Sequence, residues 1–474
     1  MQKGGVLKRL ALYTALLLLC WAAPVKASVF ELFGGGPRAN GLVGALTASA
    51  RGGEAAFHNP AMLLASPLGG AWFGMSLTRV DLQVGMARPY CKGAPVSCAQ
   101  QFPGGSSTRQ PARPADSSAF ELGWNYPVGG ILKRRLALGA GLALPVGHLI
   151  RISGPDPQTP NFFQYEGMPD RLAFLFGAAL QVADGLWVGA GAQVLAVLNA
   201  AIDLRVQPTN HDYDRATIRI GLEPRARLTA GGAWHPHPQL WFGLSYRQQL
   251  SLEYAIPTDV QLGDPAQLFI NLGHNTLFSP DTVQAGAAWR SASGRLQLMA
   301  DLGWARWSAA PDPSPYVSLD AAGPAVAGFG LQDVLDIGTD TPQIRLGLRN
   351  TWSPALAAEW RASPEWLLRG GYRYRPTPAP RASGPFNYLD SDTHVLGAGL
   401  SWRFGSFAER LSRQLAQAGI DDRDTPGPLH IDVGFQWHLQ SHRVALKTDR
   451  NDPVGDLEHG GQVWHAGLAF GGSF

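Results

Sequence analysis

The side chains best equipped for chemistry are charges set two residues apart inside apolar runs. Arg219, Glu223, Arg225 and Arg227 alternate with Ile218, Ile220 and Leu222, and Arg369 and Arg373 alternate with Leu368 and Tyr372. Arg247, Glu253 and Asp301 fall on the same polar parity of their own segments. A guanidinium presents a planar fork of donors that matches a carboxylate in two parallel hydrogen bonds. Arg225, Arg247 and Arg369 are therefore candidates to hold the carboxylate of a small ligand. The same residues also suit a plainer role, the polar lining of a barrel interior, paired with acids across strands.

Patterns for catalysis are thinner. Gly189-Ala190-Gly191-Ala192-Gln193-Val194 begins like a dinucleotide fingerprint, but it lacks the third glycine and lies inside a strand pattern. His235 and His237 share a Pro-rich turn with no further ligand at metal spacing. His430 and His438 share one parity, yet nothing in the spacing brings a serine to either, as a lipid hydrolase would need. The expectation is a protein with no catalytic residue, no metal and no cofactor, and not an enzyme. Cys91 and Cys98 enclose six residues, and in an oxidising compartment they are expected to form a disulfide.

The compartment follows from the N-terminus. Lys3, Lys8 and Arg9 precede an apolar run over residues 10–19, and Val25-Lys26-Ala27 offers a small-residue cleavage site, the pattern of a secretory leader over 1–27. Its removal takes away four basic side chains and no acidic one, which turns the formal net charge from +3 to −1 and removes any argument for a nucleic-acid partner. Charged residues make up 16% of the chain, against about 25% in ordinary soluble proteins. After the leader no apolar run is long enough for a spanning helix.

The elements that must position those charges are strands. Leu429 to Gln440 alternates strictly, with large apolar residues at odd positions and polar residues or glycine at even ones. A period of two gives one face to an apolar phase and the other to a polar one. A soluble sandwich would satisfy that, but many segments approach or exceed ten residues. Tryptophans 234, 241, 304, 307, 352, 360, 366, 402, 437 and 464 gather near their ends, and the last segment ends on Phe474. Those features favour an all-β, transmembrane antiparallel barrel of about 14 strands over residues 69–474, facing lipid outside and polar inside. Expected segments include 136–148, 239–255, 393–404 and 460–474. Short connections such as 183–185, 235–238 and 291–294 read as periplasmic turns, and 85–117, 149–170, 256–280 and 308–342 as external loops. The stretch 405–427, with an amphipathic helix near 407–415, falls on the periplasmic side. Apolar clusters around Phe162 and Phe163, around Phe269 and around Phe329 stand in the external loops. They either capture a greasy ligand or pack the loops together.

Residues 28–68 are too rich in Gly and Ala to span or to fold alone, and are expected to fill the lumen as a hatch. Within them Gly52-Gly53-Glu54-Ala55-Ala56-Phe57-His58-Asn59-Pro60-Ala61 breaks every periodic pattern. Pro60 ends any preceding helix, and the Asn59 amide can bind nearby backbone.

Asn59-Pro60-Ala61, the segment Asp301-Leu302-Gly303-Trp304-Ala305-Arg306-Trp307-Ser308, and the stretches Gly243 to Arg247 and Leu368 to Tyr372 together resemble the FadL/TodX family of outer-membrane channels for hydrophobic compounds. The resemblance covers nearly the whole chain after the leader. It implies a fourteen-stranded monomer in the Gram-negative outer membrane, inserted by the barrel assembly machinery and surrounded by outer-membrane lipids. It also implies passive uptake of long-chain fatty acids or aromatic hydrocarbons, with capture at external loops and passage beside a hatch at Phe57, Asn59, Pro60 and Ala61. Release would follow through a side opening at the third strand, where Gly139, Gly141 and Pro145 stand on a small-residue inner face. Upstream of Asn59 the chain departs from the family's paired acids, with Arg51-Gly52-Gly53-Glu54. Recruitment of the same barrel to secretion or surface attachment, or an outer-membrane lipid enzyme, are the competing functions.

Overall fold

A computed structural model describes residues 29–66, 68–88, 114–129, 135–146, 159–166, 172–207, 212–262, 266–311, 313, 316–322, 324, 337–338, 346–384, 386–404, 429–448 and 454–473. The expected leader over 1–27, Cys91, Cys98, Phe329, the helix expected near 407–415 and Phe474 lie outside the described residues. The strands are β1 Gly70–Arg88, β2 Ser117–Pro127, β3 Leu136–Pro145, β4 Ala173–Ala183, β5 Leu186–Gln207, β6 Asp212–His237, β7 Leu240–Arg247, β8 Leu250–Leu262 and β9 Ala266–Ser279. They continue with β10 Thr282–Arg290, β11 Leu296–Ala305, β12 Tyr316–Ala322, β13 Ile337–Gly338, β14 Thr351–Arg361, β15 Trp366–Arg375, β16 Thr393–Arg403, β17 His430–Ala445 and β18 Asp456–Ser473.

Fourteen of these close an antiparallel barrel. β1 to β7 pair in order, β7 pairs with β10, β10 with β11, β11 with β14, and β14 to β18 pair in order. β18 then returns to β1, from Gly70 opposite Ser473 to Arg88 opposite Asp456. Closure leaves no edge with unpaired backbone, which is the condition for crossing hydrocarbon with strands. Leu244, Leu298, Leu302, Leu356, Leu468 and Phe470 are exposed on the outer face. Pairs of aromatics face each other there: Trp366 stacks on Trp402 at 5.8 Å and Trp437 on Trp464 at 5.1 Å. Trp307 and Trp241 depart from the expected outer girdle. Trp307 is buried, and Trp241 stacks on His235 at 4.3 Å beside Trp187. Trp241 and His235 stand on the inward parity of β7 and β6, so their rings have hatch and neighbouring strands to pack on instead of lipid.

The segment expected as one strand over 239–255 is two. β10 begins opposite Arg247, so the wall ladder ends there, and the chain turns at Gln248 and Gln249 into β8. The stretches expected as external loops at 256–280 and 308–342 also contain strands. β8 pairs with β9, β9 with β12 and β12 with β13, while Thr258–Leu262 of β8 runs parallel to Ile202–Val206 of β5. These long connections satisfy their own backbone polar groups by extending the sheet beyond the barrel rim. The opposite rim carries the tight turns 184–185 and 238–239, and by the usual asymmetry of such barrels it faces the periplasm.

Candidate functional site

The lumen is filled by the N-terminal segment. It runs as a short helix Val29–Phe33, a turn of helix Pro37–Gly41, a 3-10 turn Gly52–Glu54, a helix Ala55–His58 and a 3-10 helix Pro60–Ala65. None is long enough to be stable alone; the wall holds them. Nearly every strand contributes a small inward residue at hatch level, so that the hatch backbone lies directly on wall backbone. A methyl group on Gly434 would lie 2.0 Å from Pro37 O, and one on Gly243 2.1 Å from Thr47 O. Polar side chains then pin the hatch from around the wall. Glu121 of β2 accepts from Gly36 N at 2.6 Å, and Asp301 of β11 accepts from Thr47 N at 3.0 Å and Thr47 Oγ1 at 2.7 Å. Arg373 of β15 donates to Val43 O at 2.8 Å and Gln436 of β17 to Phe33 O at 2.9 Å.

Asn59 has a local and a long-range task. Its backbone is extended, which stops the Ala55–His58 helix, and its Oδ1 caps the next one by accepting from Ala61 N at 3.1 Å, with Pro60 at the first helical position. Its Nδ2 donates to Thr47 O at 2.8 Å and to Gly232 O of β6 at 3.0 Å. The motif thus seats on β5 and β6, where methyl groups on Gly189 and Gly231 would strike Ala61 N at 2.3 Å and Asn59 Oδ1 at 2.0 Å. The motif's seat is therefore on β5 and β6 and not on the third strand. It is Leu63, four residues after Asn59, that lies against β3, with Cδ2 2.3 Å from a methyl group placed on Gly139.

β3 itself is whole. It pairs with β2 from Pro127–Ala137 to Ala119–Pro145 and with β4 from Leu136–Leu180 to Ala143–Ala173. Val146 N continues past Pro145 to Ser118 O at 3.0 Å. At Gly139, Gly141 and Pro145 the strand keeps its pairing with β2, its ladder with β4 ends at Ala143, and Leu63 and Leu175 occupy the space the two glycines leave.

The charges separate into three fates. Arg369 is buried and engaged with Glu359 at 3.1 Å and Asp432 at 2.9 Å, so it is a structural pair member rather than a free ligand donor. Arg225 keeps inward parity but lies beyond Thr229, the last β6 residue paired with β7 at that rim, so it has no opposite wall to face. Its side chain is 62% exposed and sits 3.7 Å from Glu223, which removes it from the lumen. Arg247 remains inside: it donates to Phe57 O at 2.9 Å, lies 3.9 Å over the Phe57 ring, and its Nε has no partner. The buried Arg227 is ion-paired with Glu31 of the hatch.

Arg247 lines a cavity of about 170 Å³ above the hatch, together with Phe30, Phe57, His58, Trp304, Trp307, Arg373 and Arg375. Among the described residues, no carboxylate lies within ion-pair distance of Arg247, Arg373 or Arg375, and Arg375 Nη1 is buried without a partner. Burial, helped by Arg247, pushes the His58 pKa down to about 3, so this imidazole is neutral, with Nε2 3.1 Å from Gly34 O. Arg373 and Arg375 were legible as polar-face residues of β15, but only the cavity distinguishes them from Arg369.

The cavity is roofed by residues 159–166. Asn161 N bonds to Asn387 O and Leu389 N to Asn161 O, and Gln164 donates to Asp390 at 2.9 Å while accepting from Arg375 at 2.7 Å. Tyr165 Oη stands 3.2 Å from His438 Nδ1. Phe162, expected on an exposed loop, is 1% exposed and packs in the interior cluster with Phe30 and Leu389, drawn in by this hydrogen-bonded strap. Phe163 packs edge-on to Trp307 at 5.9 Å. Phe269 remains outside, 41% exposed on β9.

Residues 227–410 match the family model described as outer membrane protein transport protein (OMPP1/FadL/TodX). Alkane uptake protein A of Marinobacter nauticus is 22% identical over 319 residues, covering 64% of this chain and 62% of that protein, less than two thirds of its length. Among solved structures, a FadL homologue of Pseudomonas aeruginosa superposes with a TM-score of 0.54 at 15% identity, over 93% of this chain and 97% of the other. The toluene transporter TodX of Pseudomonas putida does so with 0.53 at 12% identity, over 94% and 99%. The closed fourteen-stranded wall, the lumen-filling N-terminus and these likenesses agree: the chain is similar to the OMPP1/FadL/TodX family, by its family model over residues 227–410, shares its fold, and is a barrel of the Gram-negative outer membrane.

Proposed function

We propose that the protein admits hydrophobic small molecules to the cell by diffusion, and that amphipathic long-chain acids are among them. The observation that carries this reading is the cavity above the hatch. Its aromatic walls suit a greasy chain, and its three arginines without carboxylate partners suit a carboxylate head. A general porin would offer a wet, open constriction instead. Cargo enters where the strap at Asn161 to Glu166 lifts, settles with its head at Arg247, Arg373 and Arg375, and rests its chain on Phe30, Phe57 and Trp307. Phe269, Phe162 and Phe163 act in succession along the entry: the first on the sheet beyond the rim, the others as the strap opens.

Release is proposed through the wall at β3. Leu63 occupies the space over Gly139 and Gly177, and its withdrawal with the Asn59-Pro60-Ala61 seat leaves a strip of small residues ending at Pro145. Chains this apolar leave more cheaply into lipid than into periplasmic water.

The test is uptake by a strain lacking the chain and complemented with it, using a long-chain fatty acid, an alkane and toluene. Restored uptake of at least one hydrophobe is expected. Arg373→Met with Arg375→Met should depress fatty-acid uptake more than alkane uptake. Unchanged uptake of every hydrophobe on deletion refutes the transport reading; equal loss for acid and alkane refutes the carboxylate role.

A further inference from the structure

At the opposite, periplasmic rim a second group of arginines converges, and transport of a hydrophobe does not call for it. A cavity of about 150 Å³ is lined by Arg51 of the hatch, Arg290 at the end of β10, Arg295 before β11, and Gln297, Glu359 and Arg361. Arg361 N donates to Arg295 O at 2.7 Å, so these two residues stand directly opposite on neighbouring strands. Like charges in that position repel. One row further in, Gln297 faces Glu359 and Arg290 faces Gln297.

Glu359 is the carboxylate of this cavity, and it is already shared. Arg38 lies 3.0 Å from it, Arg369 3.1 Å, and Arg51 Nη1 3.7 Å. Arg51 Nη2 also donates to Gln297 Oε1 at 2.6 Å, which fixes the guanidinium at the cavity edge. Among the described residues, no carboxylate comes within ion-pair distance of Arg290, Arg295 or Arg361. Burial pushes the Arg51 pKa down to about 10, with Arg38 and Arg290 adding to the effect against Glu359.

We propose that this cavity binds a compact oxyanion, a phosphate or carboxylate group, bridging Arg295 and Arg361 under the hatch. The group accepts from the two facing guanidiniums and from Arg290, and so converts a repulsive cross-strand pair into a chelate. Because Arg51 of the hatch lines the same cavity, an anion held by the wall arginines also attracts its charge and so draws the hatch toward β10, β11 and β14. Two sources share this chemistry: free phosphate of the periplasm, and the carboxylate of an amphiphile.

The full-length barrel in uncharged detergent is titrated calorimetrically with inorganic phosphate and, separately, with octanoate, at constant ionic strength set by sodium chloride. Saturable binding of at least one is expected. It should weaken by about tenfold or more in Arg295→Gln/Arg361→Gln, as for the loss of one charge-assisted hydrogen bond, and survive in Arg295→Lys/Arg361→Lys. Binding of phosphate alone supports the site with free phosphate as occupant; binding of octanoate lost in the Gln pair supports it with a carboxylate. No saturable binding, or binding abolished only by Arg373→Met/Arg375→Met, overturns the inference and leaves the upper cavity untouched. Retention of the heat-resistant fast-migrating band on gels shows that each variant is folded.

Discussion

Replacing Asn59 by alanine probes how the hatch is held. The change deletes the cap on Ala61 N and both Nδ2 bonds, to Thr47 O and to Gly232 O. A lost cap costs about 1 kcal/mol, and each neutral hydrogen bond about 1 kcal/mol net. The seat on β6 therefore weakens by about 3 kcal/mol, which raises the open population roughly 100-fold. The barrel should not notice, because β5 and β6 pair along their full lengths without this side chain. Hydrogen exchange followed by mass spectrometry reads both parts at once. Peptides across residues 47–63 should lose protection by one to two orders of magnitude, about what 3 kcal/mol implies, while β17 and β18 keep theirs. Fatty-acid uptake should fall, since Phe57 and His58, which line the cavity floor, move with the seat. Unchanged protection over 47–63 would refute the anchoring argument. Loss spreading to β17 and β18 would show that hatch and wall unfold as one unit.

Glu359→Gln leaves Arg38, Arg51 and Arg369 without their shared charge, and breaking such a buried network costs about 3–5 kcal/mol; the melting temperature in detergent should drop accordingly, and an unchanged one contradicts the network. Gly434→Val places a side chain where Pro37 O now lies, so the hatch should become sensitive to protease in a barrel that still shifts on gels; a fully protected hatch denies the close fit. Asp390, in the external loop that receives Gln164, has its pKa raised to about 6, chiefly by burial, against Thr377 and the positive charges of Arg375 and Arg443. A carboxyl raised in the folded state stabilises the closed strap fully below pH about 3.8, and that contribution is lost as pH rises through about 6. Exchange of residues 159–166 should therefore quicken between pH 4 and 7 by more than the intrinsic chemical rate, and Asp390→Asn should abolish the excess.

The wall was legible because one physical fact repeats in every strand. Lipid outside and hatch inside demand alternation, and Leu429 to Gln440 or Trp366 to Arg375 show it without help from any partner. The break at Asn59-Pro60-Ala61 was equally plain, since proline and a short amide act on their own neighbours. A further signal was present and easily overlooked: the single glycines at inward positions, such as Gly243, Gly397 and Gly434, which mark where hatch backbone must touch wall backbone. The 239–255 segment could not be divided from sequence, because what ends β7 is the starting point of β10 on the next ladder.

Sequence by itself determined the alternation, the count of wall segments and the presence of a non-periodic insert, all properties of near neighbours along the chain. Tertiary structure decided which charge does what. Arg225, Arg247 and Arg369 share one parity and one chemistry, yet the first projects past the rim, the second faces a cavity and the third is consumed by Glu359 and Asp432. Phe162 likewise reads as a loop residue and ends in the core. Parity fixes only the side of the wall on which a residue stands. Its height along the strand, and whether an acid or a hatch segment lies opposite, depend on ladders hundreds of residues apart, so burial and charge pairing become defined only when the barrel closes.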